Sequence, residues 1–524
     1  MTNLIFKSCL IIDGSGAEPY ISDLRVSQGK VQEIGNIPPN PEARVIDGTG
    51  LALAPGFIDA HGHSDYHLLV LPNGESKLLQ GITTEVGGNC GYSAVPFLGE
   101  LAKERRIGLK KEYGLKIDFR AFSEYLEKLK EKGIGFNFAP LVGYNTVRAC
   151  LIGYRREAPG TKEMKRIQRE IEKAMAEGAF GMSAGLIYPP GSYATKEELI
   201  SALEPVREAD GIFACHIRSE GERLLEAISE LIEIGTKAKV RVELSHLKTS
   251  GAENWDKLDK AFELIENAQK QGLDIKADRY PYTASFTILS SVLPDWVFEG
   301  GREAYLENLK KERERIKKEM SNKPYDYWDR IIVSQCFSKK AKEVEGKSIS
   351  ELAKKTGMNS IDFVLDFLSE EEISPNAIYN SMSEINMERI FQKDWVMVGS
   401  DSGARGSSGI LAKGKPHPRV SGTFPKFISE LVRKKNLLSL AKAIEKSSWL
   451  CAGHFGIKNR GKIEKGYYGD LVLFDPLRIE DRASFENPFL APVGIEMVLV
   501  NGEIVVERNR LTGLTRGEVL KRKQ

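Results

Sequence analysis

Two of the chain's 7 histidines, His61 and His63, stand one residue apart at the end of the apolar run GFIDAHGHSD (56–65). In an extended segment, residues i and i+2 project to the same side, so both imidazoles could reach one ion. The alternative is a pair of capping or core histidines. Cys90 lies in the glycine-rich stretch GITTEVGGNCGYSAVP. A solitary cysteine is usually a small buried hydrophobe, but in such a loop backbone can approach an ion closely, and a cation would draw the thiol to its thiolate. His216 in ACHIRSEG and His246 in ELSHLKTSG each follow a mostly apolar run, and either one alone reads as a core histidine. Imidazole nitrogens joined by one thiolate and the carboxylate of Asp401 make a donor set that suits zinc better than magnesium or calcium. One ion or two is left open. His67, His417 and His454 are not read as ligands.

Asp401, in VMVGSDSGARG, has a second reading. Water activated at a metal needs a nearby carboxylate to take its proton and pass it to a leaving group; the plain alternative is an Asx turn or a helix cap. Arg419, in KPHPRVSGTFP, could clamp a substrate carboxylate through two hydrogen bonds, or be a solvated surface arginine. Tyr282 in DRYPYTAS and Lys248 in SHLKTSG are further candidate substrate contacts.

Something must bring these distant residues together. Helical text such as FRAFSEYLEKLKEKG and EMKRIQREIEKAMAEG alternates with short apolar strands, among them GFNFAPLVG, AFGMSAGL, IFACHIRSE, VRVELSHLK, LDIKADRYPY and WVMVGSDSG. That rhythm over about 300 residues predicts an α/β fold, a (β/α)8 TIM barrel. The candidate ligands follow strand-like runs, and barrel sites are assembled at the C-terminal ends of strands. Both termini read as short alternating strands, and Asn501-Gly502 between apolar runs is a hairpin signal. The expected organisation is a small β-sandwich domain from 1–54 and 460–524, around a barrel spanning 55–459. REAYLENLKKERERIKKEM marks a helical insertion around 300–345.

With 75 basic and 73 acidic residues and a net charge of +2, nothing points to nucleic acid or a membrane surface; the expected partner is a small molecule. The 6 cysteines are scattered without CxxC spacing, no signal peptide or membrane span is evident, and a reducing cytoplasm is the simplest expectation.

Taken together, these residues resemble the amidohydrolase superfamily, in particular the D-aminoacylase (N-acyl-D-amino-acid deacylase) branch. The similarity runs from APGFIDAHGHSD through GITTEVGGNCGYSAVP, GMSAGLIYPPGSYAT, HIRSEG, ELSHLK, DRYPYTAS, GSDSG and HPRVSGTFPK to GKIEKGYYGDLVLFDP. The resemblance implies a TIM barrel with a β-sandwich and a site of one or two zinc ions. Cys90, His216 and His246 would hold the tighter ion; His61 and His63, with Cys90 and Asp401, would form a weaker position. Arg419, Tyr282 and Lys248 would meet the free carboxylate of an N-acyl amino acid, and D configuration comes from the resemblance alone. A cyclic imide, a lactam or a D-residue dipeptide would use the same metals, and a non-catalytic barrel acting through oligomeric contacts is a further alternative. A homo-oligomer is compatible with the family. The chain departs from the branch at LVGYNTVR, where Tyr144 and Asn145 stand in place of His-Gly, and in a longer stretch between Asp401 and Arg419.

Overall fold

The structure is a computed structural model that describes residues 3–522. Strands from both ends of the chain build one sheet of nine strands among these residues. Asn3–Ile11 pairs with Tyr20–Ser27 on one side and with Arg44–Asp47 and Ala52–Pro55 on the other. Ala52–Pro55 then pairs antiparallel with Leu471–Phe474, which leads through Ile495–Val500 to Glu503–Glu507. The two-residue alternation puts Leu4, Phe6, Leu24, Val26, Leu471 and Leu473 in a common apolar cluster. That face closes on itself, because the turn at Gly29 lies against the Asn501-Gly502 hairpin turn, whose two residues both have positive φ. Val472, Phe474, Val498 and Val500 point the other way and join the main core.

Eight parallel strands form the barrel: Phe57–Asp59, Ile82–Gly87, a third that breaks at Leu141 into Asn137–Pro140 and Val142–Gly143, then Gly181–Gly185, Ile212–His216, Arg241–Leu244, Ile275–Arg279 and Val396–Val398. Parallel ladders run from the first strand to the third and from the third to the eighth. The ring closes between two strands of three residues each. There the Ala60 N–H donates to Val398 O (3.2 Å) and Gly62 bridges Ser402. Helices cover the strands with one apolar stripe. Thr161–Glu177 buries Ile167, Ile171, Ala174 and Met175 at helical spacing and stops at Gly178, whose φ is +118°. No helix among the described residues is long and apolar enough to cross a membrane.

The insertion differs from the expectation of a helical segment at 300–345. It spans 284–380, between the seventh and eighth barrel strands, and is a small α/β unit. Ala284–Ile288, Asn376–Asn380 and Ile331–Gln335 form an antiparallel sheet in that order. Gly301–Lys311, Arg313–Met320, Ile349–Thr356 and Ser360–Glu370 pack on it around a separate core that includes Leu309, Ile316, Val333, Leu365 and Ala377. Its strands are five residues long with few apolar side chains each, so the charged helical text between them dominates the sequence pattern.

Candidate metal centre

The strand ends bring the predicted ligands to one place. Cys90 Sγ lies 3.3 Å from His61 Nε2, 3.6 Å from His246 Nε2 and 3.7 Å from His216 Nδ1. Asp401 Oδ1 lies 3.2 Å from His63 Nε2 and 3.7 Å from His61 Nε2. Donors on a tetrahedral zinc, each about 2.0–2.3 Å from the ion, are separated by about 3.3–3.8 Å, so nitrogen, sulfur and carboxylate stand at the spacing the ion needs. His61, Cys90, His246 and Asp401 have ligand atoms all within 4.8 Å of one another.

Local backbone makes this possible. Gly62, between the two histidines, rests on Glu85: a Cβ there would come 2.1 Å from the Glu85 carboxyl carbon. A Cβ on Gly91, beside Cys90, would come 2.1 Å from Asn145 Oδ1. Cys90, His246 and Asp401 themselves have φ of +52°, +38° and +50°. Three of the candidate ligand residues thus sit in the left-handed region, which is least usual for cysteine, and the surrounding packing must hold them there.

The electrostatics are those of a closed charge cluster. Burial alone would raise the Cys90 thiol, but the neighbouring His61 and hydrogen bonds from His216, His246 and His61 hold it well below its ordinary range. Burial would likewise raise Asp401, yet Arg419 and the histidines hold it well below the usual carboxylate range. Burial disfavours charge on His61, but Asp278 and Cys90 push its pKa well up. His63 is pushed up to about 9, against burial, by hydrogen bonds with Asp401 and Cys90. Thiolate, carboxylate and imidazoles compensate one another here, and a dication satisfies the same anions.

Several positioning residues were not found from sequence. Asp278 Oδ2 accepts from His61 Nδ1 at 3.0 Å, which leaves Nε2 for the cluster. Glu220, four residues after His216, lies 2.9 Å from His246 Nδ1 and pairs closely with Lys248. Both lie within quoted motifs, DRYPY and HIRSEG, so a carboxylate at or just past a strand end was the available signal. Lys77 left none, because it lies in the short polar stretch ESKL. Its ammonium is buried and donates to Asp59 Oδ2 (2.6 Å), Ser400 Oγ (2.8 Å) and Ser402 O (2.8 Å), with Glu85 Oε2 at 2.9 Å. Asp59 also accepts from the Ser400 N–H, and Glu85 from the Ser64 N–H. This brace ties the loop carrying His61 and His63 to the loop carrying Asp401, across the seam where the barrel ladder is thinnest.

Of the expected substrate contacts, Arg419 is no surface arginine. It opens the helix Arg419–Lys426, is buried, and donates from Nη1 to Asp401 Oδ2 at 2.8 Å. Its Nε has no hydrogen-bond partner. Lys248 lies beside His246, 2.7 Å from Nδ1. Tyr282 is also buried: its ring meets His417, and its hydroxyl lies against Gly422, close enough to Asp481 and Arg419 for both charges to act on it. Tyr280, two residues earlier in the same motif, lies beside the same cations, with the Arg419 guanidinium 4.7 Å and Lys248 Nζ 5.8 Å from its ring centre. The Pro281 bend that follows the strand end at Arg279 leaves both tyrosines buried. Tyr144 turns its hydroxyl to buried Glu198, which also holds Arg148, while Asn145 bonds Gly185 and Tyr188 and so fixes the loop after the fourth strand. His417 and His454 bond the Ala284 and Val242 carbonyls, outside the cluster; neither ring nitrogen of His67 has a hydrogen-bond partner.

Comparison with known proteins agrees with this architecture. A sequence profile of the amidohydrolase family matches residues 319–506. The chain is 34% identical to D-aminoacylase of Alcaligenes xylosoxydans xylosoxydans over 521 residues, 99% of this chain and 98% of that protein. A solved D-aminoacylase described as having a binuclear metal centre superposes with a TM-score of 0.84 at 32% identity, covering both chains completely. N-acyl-D-glutamate deacylase from Bordetella bronchiseptica, solved with zinc and a phosphonate inhibitor, gives 0.84 at 30% identity over 99% of each chain. With the barrel, the two-ended β domain and a cysteine-centred donor cluster in place, the chain belongs to the D-aminoacylase family of the amidohydrolase superfamily.

Proposed function

We propose that the chain is a zinc-dependent hydrolase that splits the amide bond of N-acyl-D-amino acids into a carboxylate and a free D-amino acid. The observation that carries this is the joining of Asp401 to both the donor cluster and a buried arginine, in a chain similar to D-aminoacylase from end to end. Cys90, His216 and His246 would hold one ion; His61 and His63, with Cys90 and Asp401, would hold a second. Bound zinc supplies a Lewis acid for the amide carbonyl and makes water acidic near neutral pH.

The chain's own groups do the rest. Asp401 takes the proton of the attacking water and returns it to the amide nitrogen as the C–N bond breaks, so one water is consumed and one acid and one amine leave. Arg419 receives the substrate's α-carboxylate, with Tyr280 and Lys248 alongside. Holding that end fixes which face of the amide meets the water, and so the configuration accepted. A carboxylate arriving at Arg419 also draws charge away from its pair with Asp401, which raises the proton affinity of Asp401 when substrate is present. The six cysteines are all unpaired, which supports a reducing, cytoplasmic setting.

The test uses zinc-loaded protein with matched N-acetyl-D- and N-acetyl-L-amino acids, reading free amine. Cleavage of D forms alone is expected. Asp401→Asn should lose about 10²–10⁴ in turnover while still binding zinc through the remaining donors. D substrates left intact by the metal-loaded protein, or full turnover in Asp401→Asn, would overturn the reading.

A further inference from the structure

Asp278 and Arg279 are consecutive at the end of the seventh barrel strand, so their side chains leave it on opposite sides. Asp278 turns to His61. Arg279 lies instead at the junction of the barrel with the inserted unit. Its Nη2 donates to Tyr282 O at 2.8 Å and to Met382 Sδ at 3.0 Å. The Met382 N–H donates to Thr283 O, which ties the chain leaving the unit to the chain entering it. The guanidinium also covers the Tyr280 ring, 4.3 Å from its centre.

The charge of Arg279 is not matched as those of the other enclosed arginines are. Arg148, Arg279, Arg419 and Arg460 are each exposed by 2% or less. Arg148 pairs with Glu198, Arg419 with Asp401 and Arg460 with Asp470. Arg279 meets no carboxylate among the described residues: the partners of Nη2 are neutral, and Nε and Nη1 have none. The Tyr280 hydroxyl, buried beside it, has no partner either. Burial lowers the pKa of Arg279 from its ordinary value, and Tyr280, Glu220 and Asp278 offset only part of that. Of these, Glu220 is already taken by Lys248 and Asp278 by His61. A guanidinium keeps its charge in a protein, and a buried charge without a counter-charge is expensive. A water could accept the free N–H groups but would leave the charge unmatched. We infer that Arg279 binds a small monovalent anion of the halide class, held by Nε and Nη1 where the seventh barrel strand meets the inserted unit. Its size follows from the enclosure, since a guanidinium 1% exposed is closed to a ligand as large as an N-acyl amino acid. Such an anion would fix the strand end that carries Tyr280, whether or not the chain is a deacylase.

The experiment compares the melting temperature of the zinc-loaded protein in sodium chloride and in sodium gluconate at equal ionic strength, and reads bromide-soaked crystals by anomalous scattering. Chloride should raise the melting temperature by a few degrees over gluconate and reach a plateau, as a ligand of the folded state does. Bromide should give a peak in contact with Arg279 Nε or Nη1. Arg279→Met should lose the chloride response; Arg279→Gln, which keeps a neutral donor, serves where the methionine variant does not fold. Chloride can also ligate zinc, so a response that persists in the variant would place the anion on the metal and overturn the assignment. Equal melting of the natural protein in the two salts, or water alone beside Arg279 in the bromide map, would overturn it as well.

Discussion

The floor and the roof of the metal centre are built on opposite terms. Beneath it, Asp59, Lys77, Glu85, Glu243 and Asp278 are all completely buried: Lys77 joins Asp59 and Glu85, Asp278 bonds His61, and Glu243 faces His454. Above it, the strand Ala284–Ile288 and Tyr188 are half-exposed, mostly apolar, and joined by one pair of hydroxyls. A buried charge left without its partner is expensive, so the floor tolerates little change and fixes where the donors stand. A half-exposed apolar wall can change residue by residue at small cost, so the roof is where the choice of substrate can vary without disturbing the donors.

The hardest blow to the floor is Lys77→Met. It keeps the length of the side chain and removes the cation from between Asp59 and Glu85, leaving two buried carboxylates facing one another. The expected loss is about 3–5 kcal/mol of stability, read as a lower melting temperature. Because the brace spans the seam between His61–Ser64 and Ser400–Ser402, zinc content should fall as well. A variant that melts and binds zinc like the natural protein would show that the seam holds without its charges.

The floor also predicts a pH dependence. Burial, and then the Asp278 carboxylate beside it, push Glu243 up to about 7 from an ordinary value of 4.5. A pKa raised on folding contributes stability that is fully present below about pH 4.5 and is lost as pH rises through about 7. His454, 3.3 Å from Glu243, is also held above its ordinary value, so its contribution falls in the same direction. Glu243→Gln removes the first slope and weakens the second. The melting temperature of the variant should therefore decline less between pH 5 and pH 8 than that of the natural protein. A steeper decline in the variant would mean that Glu243 is ionised in the fold.

Much of the floor's purpose was legible in the sequence and little of its construction. The convergence of the candidate donors could be read because histidine is rare in this chain and because rare polar residues at the ends of apolar runs meet in a barrel. Arg419 could be singled out by its place after Asp401, but not its direct bond to it. Lys77 could not be read at all: a lysine in a polar stretch has a strong expectation of exposure, and only the closing of the ring buries it. The inserted unit was half-legible, since its helices have a period and its three short strands do not. Tyr280 and Tyr282 show the finest limit: both are buried on either side of a proline, and only the fold decides which ring the Arg419 guanidinium covers.

The smallest expected effect tests the roof. Thr287→Val is close to isosteric and removes the hydroxyl that meets Tyr188. A hydrogen bond between neutral groups contributes about 0.5–1.5 kcal/mol, and both partners are half-exposed, so water can replace the lost contact and the melting temperature should shift little. The Tyr188 ring stays packed on His216, and nothing in the donor cluster loses a partner. If the roof serves selection and the floor serves chemistry, zinc binding should be unchanged and the effect should appear in KM, by a few-fold, with kcat held. A matching drop in kcat would place the strand in the chemistry, since a group that acts only on binding does not change the step in which the amide bond breaks.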